Sequence, residues 1–189
     1  MEKDVRLNCI IRKDERGLGS ASRAALQWAI ENQYELVATM DADFSHDPKD
    51  LPRMVDKLKA HPDIDVVIGS RYISGGKIIG WSWIRRVSSY LINLHSRIFL
   101  GLRTRDNSGA FRIYRSKTIR ELGTENIRSN GYVYLQEILF LLKKNGAKFE
   151  EVPITFRDRE LGQSKINIAE ACKAVWKIIA LRFSSTAES

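Results

Sequence analysis

Apolar residues recur along the first third of the chain in a pattern that predicts alternating strands and helices. The apolar run from Leu36 to Met40 predicts a buried strand, and the runs from Val5 to Ile11 and from Ile64 to Gly69 predict two more. Helices are predicted between them, from Leu18 to about Asn32 and from about Lys49 to Ala60. Alternation of this kind favours an α/β fold built on a mostly parallel sheet with right-handed crossovers.

Two later segments have the apolar spacing of amphipathic helices. The first runs from Trp81 to Leu100, and its apolar stripe consists of Ile84, Val87, Leu91, Leu94 and Ile98. The second runs from Ile166 to about Phe183. Basic residues and tryptophans accompany both stripes. Such a helix either lies at a membrane surface or packs on the sheet while its cations reach solvent, and the sequence leaves both interpretations open.

A third helix, from Gly131 to Lys144, contains one acid. Because Glu137 belongs to an otherwise amphipathic run, composition favours placing it on the solvent side. Before this helix, a polar loop containing Asp106 leads into a short strand that ends near Arg115, and Asp106 is either a turn residue or a site acid. After it, Ala147 to Phe156 predicts another strand.

Length and charge restrict the class of protein. The chain has 189 residues, which suits one domain with its own core. A net charge of +8 favours an anionic partner, namely nucleic acid, a phosphorylated substrate or an anionic membrane. Cys9 and Cys172 lack the spacing of a metal site and are predicted to be buried. With no secretory signal and no uncharged run of membrane-spanning length, the chain is predicted to be intracellular and at most peripheral to a membrane.

The strongest chemical signal follows the strand that begins at Leu36. Asp41 and Asp43 lie at the expected carboxyl end of this strand, where open α/β sheets bind ligands. Because two close carboxylates repel each other, they favour a divalent cation, and carboxylates plus substrate phosphates suit Mg²⁺ or Mn²⁺. Asp47 is instead predicted to be a helix N-cap, with Pro48 as the first helical residue.

Two loops are candidates for binding phosphate. Gly17 and Gly19 stand at a strand-to-helix turn, where glycine lets the backbone approach an anion. The loop from Arg157 to Lys165 is rich in charged residues, Gly and Ser, and its donors could hold phosphate. Both loops also have ordinary explanations, as turn glycines and as a solvated charged loop.

Several short motifs are distributed along the chain. They are Gly17-Leu18-Gly19-Ser20-Ala21, Met40-Asp41-Ala42-Asp43-Phe44-Ser45-His46-Asp47-Pro48, Gly69-Ser70-Arg71-Tyr72, Asp106-Asn107-Ser108-Gly109-Ala110-Phe111, Gly131-Tyr132 with Gln136-Glu137, and Glu151-Val152-Pro153-Ile154-Thr155-Phe156 followed by Asp158-Arg159 and Gly162-Gln163-Ser164-Lys165. In this order they resemble family 2 glycosyltransferases, and specifically the polyprenol (dolichol) phosphate mannosyltransferases. The resemblance extends over nearly the whole chain.

The resemblance implies a GT-A type fold and a reaction. That reaction is inverting transfer of mannose from GDP-mannose to a polyprenyl (dolichyl) monophosphate, with Mg²⁺ or Mn²⁺ on the donor diphosphate. The residues matched to the metal are Asp41 and Asp43, with Ser45 at a position that is often Gln in the family. Because the acceptor phosphate is already anionic, the main task is electrostatic stabilisation of two anions rather than removal of a proton.

The resemblance also assigns roles to cations and to two further acids. Arg71 and either Arg85 or Arg86 resemble contacts to the lipid phosphate. The predicted phosphate-binding residues are Gly19, Arg71, Arg85, Arg86, Arg159, Ser164 and Lys165. Asp106 and Glu137 match acids that line the sugar pocket. The predicted catalytic residues are Asp43, Arg71, Asp106 and Glu137.

The opening of the chain departs from the family pattern. Family members normally begin with a strand carrying a Pro-Thr-Tyr-Asn-Glu-like motif, a helix and a second strand ending in acids, which together cradle the nucleotide. This sequence opens at what should be the third strand. Residues 1–189 are therefore expected to form one partial catalytic domain that lacks the first two β-α units and binds donor poorly by itself.

Other interpretations remain open at this point. One is a transferase that uses UDP-glucose or UDP-GlcNAc with the same lipid, and another is a non-catalytic remnant that binds a membrane or a partner. A nucleic-acid binder is disfavoured because no binding motif accompanies the charge. The expected partners are GDP-mannose, polyprenyl (dolichyl) phosphate, a membrane surface and, as a further candidate, a membrane-anchoring subunit. The expected location is the cytoplasmic face of the plasma membrane in a prokaryote or of the endoplasmic reticulum in a eukaryote.

Overall fold

The computed structural model describes residues 8–13, 16–158, 176–179 and 181–182. Its α-helices are α1 (Leu18–Glu31), α2 (Leu51–Ala60), α3 (Trp83–Leu100), α4 (Ser116–Leu122) and α5 (Tyr134–Lys144). Its strands are β1 (Leu36–Thr39), β2 (Val66–Ser70), β3 (Lys77–Ile79), β4 (Arg112–Arg115), β5 (Phe149–Pro153) and β6 (Thr155–Arg157). Short 3₁₀ turns lie at Pro48–Asp50 and Thr124–Asn126.

The main sheet has the strand order β1-β4-β2-β5. β2 and β5 are parallel, while β4 runs antiparallel to both of its neighbours, β1 and β2. Three of the four strands therefore point the same way, but the reversed β4 lies between β1 and β2, so two of the three pairings are antiparallel and the sheet is mixed rather than mostly parallel. As a consequence, the ends of β1, β2 and β5 and the start of β4 meet at one edge of the sheet.

The core lies on both faces of this sheet. β2 is buried along its whole length and alternates between the two sides. Val66 and Ile68 pack in the cluster that includes α1, α4 and α5, whereas Val67 packs with Met54 and Leu58 of α2. Burial on both faces explains why the sequence of β2 is continuously apolar.

Most of the predicted elements are confirmed with shifted ends. The predicted N-cap is also confirmed, because Asp47 accepts a hydrogen bond from the Lys49 N–H at 3.0 Å and Pro48 opens the turn. The predicted strand from Ala147 to Phe156 divides at Ile154, whose N–H donates to Ser70 of the main sheet and whose carbonyl accepts from Lys77 of the small sheet. β5 consequently belongs to the main sheet and β6 pairs with β3.

Two predictions at the start of the chain are wrong within the described residues. Residues 8–11 form no strand, and Ile11 is 80 % exposed. Cys9 is exposed rather than buried. An apolar run becomes a strand only where a neighbour supplies hydrogen bonds, and residues 8–11 pair with no described strand. Residues 5–7 of this prediction and Cys172 lie outside the described residues, as does most of the predicted last helix, of which residues 176–179 and 181–182 are helical.

Helix α3 turns its apolar stripe away from the domain. Its buried residues are Asn93, Ser96 and Leu100. The outer face of α3, by which we mean Trp83, Ile84, Val87, Tyr90, Leu91 and Ile98, is exposed. This stripe does not pack in the core of the described residues, which does not support the interpretation that α3 packs on the sheet through it. Contact of α3 with a membrane surface stays a prediction. No helix among the described residues is long and apolar enough to cross a membrane.

Two leucine truncations test this orientation. We expect Leu58→Ala, at a fully buried position on α2, to lower the free energy of unfolding by about 2–5 kcal/mol through lost burial and a residual cavity. Leu91→Ala, on the outer face of α3, should lower it by less than about 1 kcal/mol because little burial is lost. Urea unfolding of the two variants measures both values. Equal losses would show that α3 packs through its apolar stripe after all.

Candidate active site

A tight turn after β1 carries the two aspartates. Asp41 and Asp43 are both partly exposed at the edge where β1 and β2 end. The Ser45 N–H and Oγ donate to Oδ1 of Asp43, at 3.1 and 2.5 Å. Phe44, between Asp43 and Ser45, has a φ of 62° and is 93 % exposed. The turn therefore holds the Asp41 and Asp43 carboxylates at the edge of the main sheet where β1 and β2 end, as the sequence predicted.

His46 is a buried residue that stabilises this turn. Its ring is 3 % exposed and lies near Phe111 and Phe156, with ring centroids 5.1 and 5.2 Å away. Burial, with the Arg71 charge acting the same way, lowers the pKa of His46 to about 4. The ring is consequently neutral near pH 7, and its Nδ1 accepts the Asp41 N–H at 3.3 Å. Sequence reasoning did not single out His46, although it belongs to the same motif.

The donor set suits a divalent cation shared with a substrate. Among the described residues no group of three or more His, Cys, Asp or Glu side chains could hold a metal ion by itself. Mg²⁺ and Mn²⁺ accept one or two carboxylates together with substrate phosphates, and Asp41 and Asp43 offer that arrangement. Ser45 is 1 % exposed and its hydroxyl donates to Asp43, which places it as a support for that carboxylate. A direct metal contact from Ser45 stays a prediction.

A buried ion pair lies beside the turn. Arg71 directly follows β2, and it donates from its backbone N–H (2.9 Å) and Nε (2.7 Å) to Oδ2 of Asp106, and from Nη2 to Oδ1 (2.6 Å). Asp106 is fully buried and also accepts the Gly109 N–H at 3.1 Å. Although burial opposes both charges, each partner's charge overcomes it, so the pKa of Asp106 is lowered and the pKa of Arg71 is raised. Both groups therefore stay ionised.

Aromatic rings enclose the Arg71 guanidinium. The rings of Tyr72, Trp81 and Phe156 have centroids 5.3 to 5.4 Å from its central carbon. Cations near aromatic faces gain cation–π energy, more so where water is excluded. Arg85 lies over the Trp81 ring, with its central guanidinium carbon 4.1 Å from the ring centroid. Its Nη1 also pairs with Oδ1 of Asp158 at 2.7 Å. Arg85 is thus engaged in the wall of the site.

A cleft of about 620 Å³ opens against Arg71. Arg86 and Lys77 supply two more cations to its lining, and Val87 and Tyr90 supply apolar surface from α3. Arg86 is held by the carbonyl of Ile78, which accepts from its Nη2 at 2.7 Å. Of the two arginines that the sequence left open, Arg86 is the one that lines this cleft.

The loop before β4 is held by residues that sequence reasoning missed. Glu151 accepts the N–H groups of Arg105 and Asp106, at 2.8 and 3.0 Å. Arg112 is fully buried and donates to the carbonyls of Asn107 and Leu135, at 2.9 and 2.8 Å. Asn93 of α3 is a third support. Nothing in the hydrophobic pattern marks Arg112 and Asn93 as buried or Glu151 as half-buried, because charged and amide residues are ordinarily on the surface.

Gly19 and Glu137 both contact a different loop, residues 128–130. Glu137 is 3 % exposed and accepts the N–H groups of Arg128 and Ser129, at 3.1 and 2.8 Å, so the solvent-side interpretation was wrong. Gly19 donates to the Asn130 carbonyl at 3.0 Å, and a Cβ there would lie 1.8 Å from the Ser129 carbonyl oxygen. Both residues position this loop, and their roles toward sugar and phosphate stay predictions. Arg159, Ser164 and Lys165 lie outside the described residues.

The fold is of the GT-A glycosyltransferase type, and a role of Asp41 and Asp43 in binding the donor stays a prediction. The family model for glycosyl transferase family 2 matches residues 2–123. The chain belongs to that family. It is 38 % identical over 165 residues to an undecaprenyl-phosphate mannosyltransferase of Micrococcus luteus, covering 87 % of this chain and 67 % of the relative. It is 35 % identical over 173 residues to a polyprenol monophosphomannose synthase of Mycolicibacterium smegmatis, covering 92 % of this chain and 64 % of that relative.

A solved structure supports the fold alone. Glucosyl-3-phosphoglycerate synthase from Mycobacterium tuberculosis, in complex with Mn²⁺ and UDP-glucose, superposes with a TM-score of 0.60 at 15 % identity. The superposition covers 92 % of this chain and 55 % of that one. The chain thus spans about two thirds of the length of its curated relatives and about half of this structural neighbour.

Removing one member of the buried ion pair should be costly. We expect Asp106→Asn to lower the free energy of unfolding by about 3–5 kcal/mol, because Arg71 would stay buried without its counter-charge. Glu121→Gln is the control, because Glu121 pairs with Lys117 on the exposed surface of α4 and should cost less than about 1 kcal/mol. Chemical denaturation compares the two. A loss below about 1 kcal/mol for Asp106→Asn would contradict the arrangement described here.

The lowered pKa of His46 predicts a pH effect on stability. Between about pH 6.5 and 4 the unfolded chain binds a proton at His46 that the folded chain excludes, so stability should fall as the pH falls through this range. The contribution is on the order of 3 kcal/mol. In His46→Phe the aromatic packing is retained and this contribution is absent, so the stability of the variant should depend less steeply on pH. Urea unfolding at several pH values measures both slopes, and identical slopes would refute the assignment.

Proposed function

We propose that this chain transfers mannose from GDP-mannose to a polyprenyl monophosphate at a membrane surface, with inversion at the sugar. One observation carries the proposal. A cleft lined by Arg71, Arg86 and Lys77 opens directly beside the exposed apolar outer face of α3. A site for an anion that adjoins an apolar surface is what a phosphate on a lipid chain requires.

The acceptor would enter along α3. Its phosphate would meet the cations of the cleft, and its first isoprene units would lie against Val87 and Tyr90. The outer face of α3 would rest in the interfacial region of the bilayer, as amphipathic helices with a basic flank do. Basic residues near an anionic membrane surface add about 1 kcal/mol each. These contacts would hold the chain peripherally at the cytoplasmic face, alone or with a membrane-anchoring subunit.

The donor would lie at the Asp41 to His46 turn. A bound Mg²⁺ or Mn²⁺ would neutralise the charge that develops on the departing diphosphate. Ser45 orients the Asp43 carboxylate, and His46 fixes the Asp41 backbone. An acceptor phosphate oxygen would attack the anomeric carbon from the side opposite the diphosphate. The bond from that carbon to the GDP oxygen would break as the new bond forms, which gives a β-linked product.

This reaction makes a free general base unnecessary. The acceptor phosphate is ionised at neutral pH and is itself the nucleophile. Asp106 fits this chemistry, because its carboxylate is held by Arg71 rather than directed at a substrate proton. We infer that Asp106 acts by positioning Arg71, whose charge would face the acceptor.

The relatives favour mannose as the transferred sugar, since both are named for mannose transfer to a polyprenol lipid. The alternative donors are UDP-glucose and UDP-GlcNAc. The solved UDP-glucose complex is similar in fold only, so it does not favour them.

A transfer assay tests the proposal. Radiolabelled GDP-mannose is incubated with polyprenyl phosphate in detergent and Mg²⁺ or Mn²⁺, and lipid-linked mannose is extracted. The chain is assayed both by itself and with a family N-terminal segment joined to it. In whichever form yields product, we expect at least about a hundredfold less from Asp43→Asn, since the carboxylate charge toward the diphosphate is lost. Asp47→Asn is the control, because Asp47 is an acid four residues away that caps a turn, and its activity should be unchanged.

Three outcomes would count against the proposal. Equal activity of Asp43→Asn and the parent chain would refute the assigned site. Product from UDP-glucose or UDP-GlcNAc instead of GDP-mannose would refute the donor. No product from any donor, with or without the joined N-terminal segment and with retained binding to lipid vesicles, would identify a non-catalytic membrane-binding protein.

A further inference from the structure

Asn93 is the polar residue through which α3 contacts the loop before β4. It lies on the inner face of the helix and is 2 % exposed. Its Oδ1 accepts the N–H groups of Asn107 (2.7 Å) and Ser108 (3.1 Å). Its Nδ2 donates to the Ser89 carbonyl (2.9 Å) and to Oγ of Ser108 (3.2 Å). These four contacts use the full hydrogen-bonding capacity of the amide.

Ser108 extends this contact to the buried ion pair. Its Oγ accepts from Nη2 of Arg71 at 2.9 Å, and the same Nη2 donates to Asp106. Asp106 in turn accepts the N–H of Gly109. The loop from Asp106 to Gly109 is therefore fixed to α3 on one side and to Arg71 on the other. A continuous set of hydrogen bonds runs from the helix to the guanidinium.

We propose that Asn93 is a positioning residue that couples the placement of α3 to the orientation of Arg71. The inference rests on the proposed function, because it assumes that α3 meets the lipid and that Arg71 meets the acceptor phosphate. The outer face of α3 contacts the surroundings, whereas Asn93, on the opposite side of the same helix, contacts the site. Movement of the helix against a membrane therefore changes the position of Ser108 and of the guanidinium edge that it holds.

Burial of the amide makes the loss of Asn93 costly. Truncation of Asn93 leaves the buried N–H of Asn107 and the partly buried N–H of Ser108 without this acceptor, and the loop must move to satisfy them. Movement of Ser108 then removes one acceptor from Arg71 while Asp106 keeps the charge paired. The expected defect is thus a misplaced cation rather than a lost one.

The helix supplies a matched control. Ser96 lies on the same inner face, is fully buried, and its Oγ donates to the Ile92 carbonyl of its own helix at 2.8 Å. Ser96→Ala removes a buried hydrogen bond from α3 without touching the loop. Ser108→Ala removes the link to Arg71 and leaves the backbone contacts of Asn93 in place, and Ser108→Thr keeps the hydroxyl.

The experiment compares Asn93→Ala, Ser108→Ala, Ser108→Thr and Ser96→Ala in the full chain. Binding to vesicles of fixed composition is measured with and without polyprenyl phosphate, together with KM and kcat for mannose transfer. We expect Asn93→Ala and Ser108→Ala to weaken the polyprenyl-phosphate-dependent binding and raise KM for that lipid by about tenfold, the loss of one hydrogen bond to a charged group. Ser96→Ala and Ser108→Thr should change both by less than about twofold.

A second readout does not depend on activity. The NMR signal of the Arg71 Nε–H should shift in Asn93→Ala and Ser108→Ala and stay in place in Ser96→Ala. If the parent chain does not bind polyprenyl phosphate at all, the proposed function fails, and this signal still decides whether Asn93 controls Arg71. An unchanged chemical shift of the Arg71 Nε–H in Asn93→Ala would overturn the inference. So would an equal loss of polyprenyl-phosphate-dependent binding in Asn93→Ala and Ser96→Ala.

Discussion

The buried ion pair between Arg71 and Asp106 is the interaction on which the rest of the site depends. Removing two charges from water is expensive, and the mutual attraction repays it only where the geometry is good and the remaining donors and acceptors are satisfied. Here Asp106 accepts four hydrogen bonds, three of them from Arg71. The pair fastens the end of β2 to the loop that precedes β4. Because that loop is also held by α3, by Arg112 and by Glu151, the ion-paired Arg71 guanidinium has a fixed position at the edge where the strands end.

The fixed position of Arg71 connects two further features of the structure, the aspartate turn and helix α3. The aromatic rings around Arg71 extend to His46 through Phe156, so the ion pair and the aspartate turn share one wall. On the other side, the cleft joins Arg71 to α3, whose apolar stripe faces outward and whose inner face carries Asn93 and Ser96. This reversal of the usual amphipathic arrangement is unfavourable in water and becomes favourable at a lipid surface. We propose that the same helix faces a membrane and supports a site for an anionic headgroup.

The sequence predicts some parts of this arrangement well and others poorly, for physical reasons. Asp41 and Asp43 follow a strand directly, so local pattern places them at the sheet edge. The apolar stripe of α3 is equally local, but periodicity reveals only that one face is apolar, not whether it faces protein or surroundings. Glu137 is buried because it accepts two backbone N–H groups from the loop that precedes its own helix, which helical periodicity does not reveal. Arg112 is buried because it donates to the Leu135 carbonyl, 23 residues along the chain, and β3 forms because β6 lies beside it. The last two contacts join residues far apart in the chain, as Arg71 and Asp106 are, and no local pattern encodes them.

The most direct test of the account is to locate the lipid on the protein without relying on turnover. A polyprenyl phosphate with a photoreactive group on its first isoprene unit would be bound to the chain in detergent, irradiated, and mapped by mass spectrometry. We expect attachment to the part of α3 that contains Val87 and Tyr90, reduced by excess unlabelled polyprenyl phosphate and by Arg86→Gln. Attachment elsewhere on the chain, or attachment that polyprenyl phosphate does not reduce, would contradict it.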